Sequence, residues 1–432
     1  MAQVRKRSKS RVSSRSAKVR AASASRSSED DASPSNATRL EKDNHWTWIE
    51  SKPVPSVTLP FLYESHVNLM LVIIAAVIMV LPFYLESEAS LSKALVKSFP
   101  YCCAMLLTVG MVAFPHGPFI RPHPLVWRVL FGLSIIYLLF LTALLFLSAD
   151  QARSLLNLFD SRVGIPFELP SYVEDCSLTV SNLWSKMDIF VPAHFFGWLV
   201  KALMIRHRVL LWTFSICWEL LEVSLIYAVP NFAECWWDVL ILDILVCNGL
   251  GLEFGLYLCN YLEHKRYAWT GVLEHKTLVA KIKRAALQFT PESWTTVKWE
   301  STNTVTRFFQ VQGLLFLGLV LELNGFMLKL NLYVPTEHPW FSLRSILVVL
   351  IGMPSMRQYY LYCVDSRVNR LGSQAIVAIL ICFAEVSLTL KTVSPVLFNP
   401  PPINKYMWAG FALVYGLVCA FLLLRYRKDK KY

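Results

Sequence analysis

Apolar residues in this chain follow neither the two-residue period of a strand nor the single stripe of an amphipathic helix. They come as unbroken runs near twenty residues long, separated by short polar stretches that hold most of the charge. A run of that length crosses the roughly 30 Å hydrocarbon layer as a helix, which is the way an isolated segment satisfies its backbone in lipid. Ten such runs predict ten spans, at about 65–84, 94–114, 125–147, 190–205, 208–228, 236–262, 304–327, 341–355, 373–391 and 406–424. The fourth and eighth are short enough to read as tilted or re-entrant. The expected fold is all-α: a polytopic transmembrane helical bundle, residues 46–425, flanked by basic tails at 1–45 and 426–432. The first tail, rich in Ser, Ala, Arg and Lys, buries too little apolar surface to order itself and is expected to be disordered.

Composition agrees. Of the 432 residues 55% are hydrophobic and 17% charged, against about a quarter charged in soluble domains. The net charge of +12 raises the question of nucleic acid, and its placement answers it. Much of it lies in the first thirty residues, and the rest recurs in alternate loops: Arg121; Arg206 and Arg208; Lys265, Arg266, Lys281, Lys283 and Arg284; Arg357, Arg367 and Arg370; and the end, 425–432. The intervening loop at 148–189 is acidic, with Asp150, Asp160, Glu168, Glu174 and Asp175. Basic loops face the cytosol, so both termini are expected there, and membrane lipid rather than nucleic acid is the partner. The sequon at Asn36 is then silent. Lys428 and Lys430 have the spacing of a dilysine retrieval signal, which points to the endoplasmic reticulum, although basic residues also simply anchor a last span. Ten scattered cysteines form no CxxC pair and read, for the most part, as small packing residues.

Candidate chemistry is concentrated between His194 and Asn248. This mainly apolar stretch carries Glu219, Glu222, Glu234, Asp238 and Asp243, with Asn231 and Asn248, and no Lys or Arg lies between Arg208 and Lys265. Each charge at the bilayer centre costs roughly 2.5–3.5 kcal/mol, so the set calls for a counter-cation. Glu219 and Glu222 share a helix face by their spacing, as do Glu234 and Asp238 if their turn is helical. Hard oxygen ligands suit Ca²⁺ better than Zn²⁺. His194 is either a packed interfacial histidine or a general base facing the acids. Trp236 and Trp237 read as interfacial anchors. On the cytosolic side Arg121, His123, Arg284 and Arg357 either set topology or recognise an anionic headgroup. Glu322, Asn324 and Glu385 either line the same chamber or pack helices together.

The longer strings resemble the eukaryotic phosphatidylserine synthases of the base-exchange type over residues 115–392. The resemblance is carried by Gly117-Pro-Phe-Ile-Arg-Pro-His-Pro124, His194-Phe-Phe-Gly-Trp198, Pro230-Asn-Phe-Ala-Glu-Cys-Trp-Trp-Asp238, Leu242-Asp243, Cys247-Asn248-Gly249, Gln288-Phe-Thr-Pro291 and Glu322-Leu-Asn324. It implies a calcium-dependent exchange in which L-serine replaces the headgroup of phosphatidylcholine or phosphatidylethanolamine. His194 would be the catalytic base, the five carboxylates with Asn231 and Asn248 the metal and substrate groups, and Arg121, His123, Arg284 and Arg357 the contacts of product inhibition. A homodimer is a further expectation of the resemblance. Two other readings remain, a synthase using a CDP-activated lipid and a lipid or cation transporter.

Overall fold

The computed structural model describes residues 65–429 apart from short internal stretches, the longest being 265–275 and 287–296. The disordered-tail expectation for 1–45 falls outside these residues, as do Asn36 and Lys430. In chain order the helices are α1 (Ser65–Val80), α2 (Leu91–Ala113), α3 (Pro124–Leu144), α4 (Ala149–Phe159), α5 (Val180–Ser185), α6 (Phe190–Ile205) and α7 (Arg208–Leu225). A π-helix, Asp238–Gly249, then runs directly into α8 (Leu250–His264). They are followed by α9 (Leu278–Ala286), α10 (Val305–Asn331), α11 (Pro339–Val364), α12 (Ser373–Thr392) and α13 (Pro402–Asp429). No strand occurs among the described residues.

Each of the ten expected spans is a helix. Seven are long and apolar enough to cross a membrane, and Leu69–Val80 and Val191–Ile205 are shorter apolar helices. The remaining one, α7, carries Arg208, Glu219 and Glu222 in eighteen residues. The chain is a multi-pass membrane protein. The eighth span differs from its expected 341–355. Its apolar run ends near Pro354, but the helix continues through Ser355, Arg357 and Gln358 to Val364, and the Ser355 hydroxyl donates to the Ile351 carbonyl at 2.7 Å beside the proline.

Helix ends are capped with unusual regularity. The Nδ1 atoms of His123, His207 and His338 accept backbone N–H groups of Leu125, Leu210 and Trp340 at the starts of α3, α7 and α11. Burial lowers the pKa of His123 and of His207, which favours the neutral imidazole such a cap requires. His338 also sets Nε2 3.0 Å from Asp160, and the Arg153 side chain donates to the Asn331 carbonyl at 2.9 Å. These contacts hold the 148–164 segment against the turn after α10.

The bundle is tied by polar contacts as well as by apolar packing. Leu141, Leu144, Leu328, Ile351, Ile381 and Leu388 form a core among α3, α10, α11 and α12. Within that layer Arg344 donates to both oxygens of the fully buried Glu385 at 3.0 and 2.6 Å, and Tyr137 donates to Glu385 at 2.6 Å. Asn324 adds its amide at 3.5 Å. Asn324 and Glu385 thus belong to a helix-binding network. Glu322, two residues earlier on α10, faces α6 instead.

Candidate active site

The site is built on α6, α7, the 226–237 turn and the π-helix. Helix α6 carries His194 and lies very close to α8. A Cβ on Gly251 would meet the Phe195 carbonyl at 2.4 Å, and one on Gly255 would meet Ala202 at 2.6 Å. The Gly251-Leu-Glu-Phe-Gly255 step is therefore the small-residue contact that lets two membrane helices touch. Under His194, Trp198 and Phe214 meet edge to face with centroids 5.5 Å apart.

The π-helix aligns the acids of the sixth span. Asp238, Asp243 and Asn248 are spaced by five. In an α-helix, with 3.6 residues per turn, a step of five leaves successive residues roughly 140° apart. Bonds from i to i+5 widen the turn and bring the same residues closer to one face. Sequence reasoning took this span as ordinary helix and had no reason to group the three. The pairing of Glu234 with Asp238 on one face required a helical turn, and that condition is not met: residues 233–235 have no helical conformation, because the chain leaves a short 3₁₀ turn at Pro230–Phe232 before winding up again. Glu234 comes to the cluster through Asp243. Burial, followed by the charge of Asp243, pushes its carboxyl pKa well above the usual range.

His194 Nδ1 stands 3.2 Å from Asp243 Oδ1. With the proton on Nδ1 this is a hydrogen bond, and Nε2 keeps its lone pair. Asn248 donates its amide to Glu219 Oε1 at 2.9 Å and to Ser215 Oγ at 3.1 Å. Glu219 and Glu222 interact along α7, as spacing predicts. Two acceptors in this region, Glu219 Oε2 and Asn231 Oδ1, are buried without a hydrogen-bond partner. Unpartnered buried oxygens beside several carboxylates fit a hard cation, whose positive charge would satisfy them. Among the described residues no three His, Cys, Asp or Glu side chains already close on one point. Binding would have to draw the carboxylates together.

Three features escaped sequence reasoning. Cys176 and Cys235 form a disulfide across 59 residues, fastening the 148–189 loop to the turn that carries Glu234. No spacing signature announces such a pair, so the packing expectation for the cysteines is corrected at these two. Trp237 is completely buried beside Cys235, so of the two expected anchors Trp236 alone is exposed. Lys201, one span before the acids, pairs with Glu322 at 2.6 Å.

Three of the four basic candidates, Arg121, His123 and Arg357, lie at the other end of the bundle. Arg121 accepts the Trp127 indole N–H on its carbonyl, and His123 caps α3. Arg357 lies 5.8 Å over the Tyr360 ring. A Cβ on Gly117 would meet the Gln374 side chain at 2.4 Å, and Gln358, next to Arg357, accepts the Gln374 N–H at 3.0 Å. The 117–123 segment and Arg357 thus sit around the same start of α12. Arg284 lies on α9, and its side chain falls outside the described residues.

A multi-pass helical bundle that brings a histidine, several carboxylates and an asparagine together inside it is a membrane protein with a buried polar site. Comparison with known proteins is more specific. The profile of the family described as "Phosphatidyl serine synthase" matches residues 122–393. "Phosphatidylserine synthase" of Drosophila melanogaster is 35% identical over 408 residues, 93% of this chain and 82% of that protein. "Phosphatidylserine synthase 1" of Danio rerio is 34% identical over 403 residues, 90% and 86% of the two chains. A plant relative, "CDP-diacylglycerol--serine O-phosphatidyltransferase 1" of Arabidopsis thaliana, is 38% identical over 331 residues, 74% and 77% of the two. The chain belongs to the phosphatidylserine synthase family.

Proposed function

We propose that this protein makes phosphatidylserine by calcium-dependent base exchange in the endoplasmic reticulum membrane, L-serine displacing choline or ethanolamine from phosphatidylcholine or phosphatidylethanolamine. The observation that carries the reading is the His194–Asp243 pair set among Glu219, Glu222, Glu234 and Asp238. Asp243 holds the His194 ring with Nε2 free to take the proton of the serine hydroxyl. The serine oxygen then bonds to phosphorus, the bond from phosphorus to the old headgroup oxygen breaks, and His194 returns the proton to that oxygen. Attack by His194 itself, giving a phosphatidyl-histidine that serine then opens, uses the same residues. Glu219, Glu222, Glu234, Asp238 and Asp243, with Asn231 and Asn248, would hold Ca²⁺ and the polar part of the substrates. Ca²⁺ held there would supply positive charge to offset that of the phosphodiester.

A CDP-activated donor is the second reading, favoured by the name of the plant relative. Against it, synthases using CDP-lipids build their site on an aspartate motif that opens with Asp-Gly, and this chain contains no Asp-Gly step. Isolated membranes given labelled serine and no nucleotide are expected to label endogenous lipid, and a calcium chelator is expected to stop it. Labelling that needs added CDP-diacylglycerol overturns the exchange, and full labelling in chelator overturns the metal.

Orientation follows the charge. The acid-rich loop at 148–189, the turn with Glu234 and the Cys176–Cys235 disulfide share one end of the bundle, which an oxidising, calcium-rich lumen suits. Both termini then lie in the cytosol, with Lys428 and Lys430 in position for retrieval.

A further inference from the structure

An acid-lined chamber that accepts serine has a physical problem: serine brings a carboxylate of its own. Five carboxylates would repel it, and the proposed Ca²⁺ would be taken up by the phosphate. The departing bases, choline and ethanolamine, carry no carboxylate, so whatever solves the problem also tells the acceptor from the leaving group.

Lys201 is a basic side chain within electrostatic reach of the His194 ring. The two residues are seven apart on α6, with Trp198 between them at the i+4 position, so all three share a stripe. Side chains on a helix lean toward its N-terminus, which on α6 carries the Lys201 ammonium toward the His194 level. The ammonium lies 3.9 Å above the Trp198 ring centroid and 2.6 Å from Glu322 Oε1 on α10. Lysine has three donors and Glu322 takes one. The pair is not sealed: the two side chains keep 19% and 27% of their surface exposed. A brace for α6 would be redundant, since α6 is already fastened to α8 through Gly251 and Gly255. A charged pair inside a membrane is also weak evidence of stabilisation and stronger evidence of function.

We propose that Lys201 and Glu322 form the amino-acid recognition site, Lys201 receiving the carboxylate of serine and Glu322 facing its α-ammonium. A neutral ion pair also matches a zwitterion without adding net charge to the membrane interior. The inference rests on serine being the acceptor, which both phosphatidyl donors considered above require, and it is independent of the choice between them.

The test compares L-serine with serinamide, an acceptor of the same shape whose carboxyl end is uncharged. Each is supplied to membranes with whichever donor, phospholipid or CDP-diacylglycerol, the wild-type enzyme uses. The donor requirement of the wild type reports on base exchange. The serine-to-serinamide ratio of kcat/KM reports on Lys201. In K201M this ratio is expected to fall about ten- to a hundred-fold, through loss of serine and little change in serinamide, and K201R is expected to keep most of it. The ratio does not depend on how much enzyme folds. If K201M fails to accumulate, the double variant K201M/E322M, which leaves no charge unpaired, is read in the same way. A wild type that does not discriminate, or a variant in which both acceptors fall together, overturns the assignment and leaves the pair as a brace.

Discussion

His194 on α6 and Asp243 on the π-helix meet at 3.2 Å, although 49 residues separate them in the chain. Asp243→Asn keeps the shape of the side chain but offers an amide where the imidazole N–H needs an acceptor. The ring is then free to settle in the wrong tautomer. Turnover is expected to fall by about 10²–10⁴, with KM for the lipid donor nearly unchanged. An initial-rate series in detergent–lipid micelles checks this. A loss confined to calcium affinity would instead make Asp243 a metal ligand alone.

The Cys176–Cys235 bond closes a 59-residue loop, for which chain entropy gives roughly 4 kcal/mol of stabilisation. Replacing both cysteines by Ser, or reducing the wild type, is expected to lower the thermal midpoint of the purified protein. It should also weaken activity by loosening the turn that carries Glu234. Alkylation without and with reductant checks the bond itself. A glycosylation site engineered near residue 180 should be used and one after Tyr432 should not; the opposite pattern overturns the orientation.

Glu385 is fully buried, and Arg344 holds both of its oxygens. Glu385→Ala leaves a guanidinium uncompensated inside the bundle, which costs about 3–5 kcal/mol. The variant is expected to accumulate poorly. Arg344→Met combined with Glu385→Met should recover much of the loss, as a fluorescence-detected thermal melt would show.

Product control, if it lies with the basic end, should separate cleanly from turnover. Arg121→Lys is expected to keep basal activity and to need about five- to a hundred-fold more phosphatidylserine for the same inhibition, because lysine cannot make the bidentate contact. His123→Asn should behave like wild type in stability, since asparagine also caps a helix, whereas His123→Ala should lose about 1 kcal/mol.

The spans were legible because hydrocarbon imposes one length on them. Only the eighth was misjudged, where Pro354 and the polar residues after it end the apolar run but not the helix. Of the site, residue types and neighbourhood were legible: unneutralised carboxylates inside apolar helices demand an explanation wherever they fall. Their pairing was not. Glu219 and Asn248 meet because two helices cross, and nothing in either segment encodes the other. Lys201 lies one helix before the stretch from Arg208 to Lys265 in which the acids have no basic neighbour in sequence. Its period-seven relation to His194 was the available signal.

The winding of the sixth span makes its register a component of the site. The wider π turns bring Asp238, Asp243 and Asn248 nearer to one face while interior amides still find carbonyls, so the arrangement costs the membrane no exposed backbone. The same arrangement has no tolerance for a change in length. Deleting one residue between Asp238 and Asn248 would swing whatever precedes the cut by on the order of 100° relative to α8. A shortened but chemically intact segment would then be as inactive as one stripped of its acids.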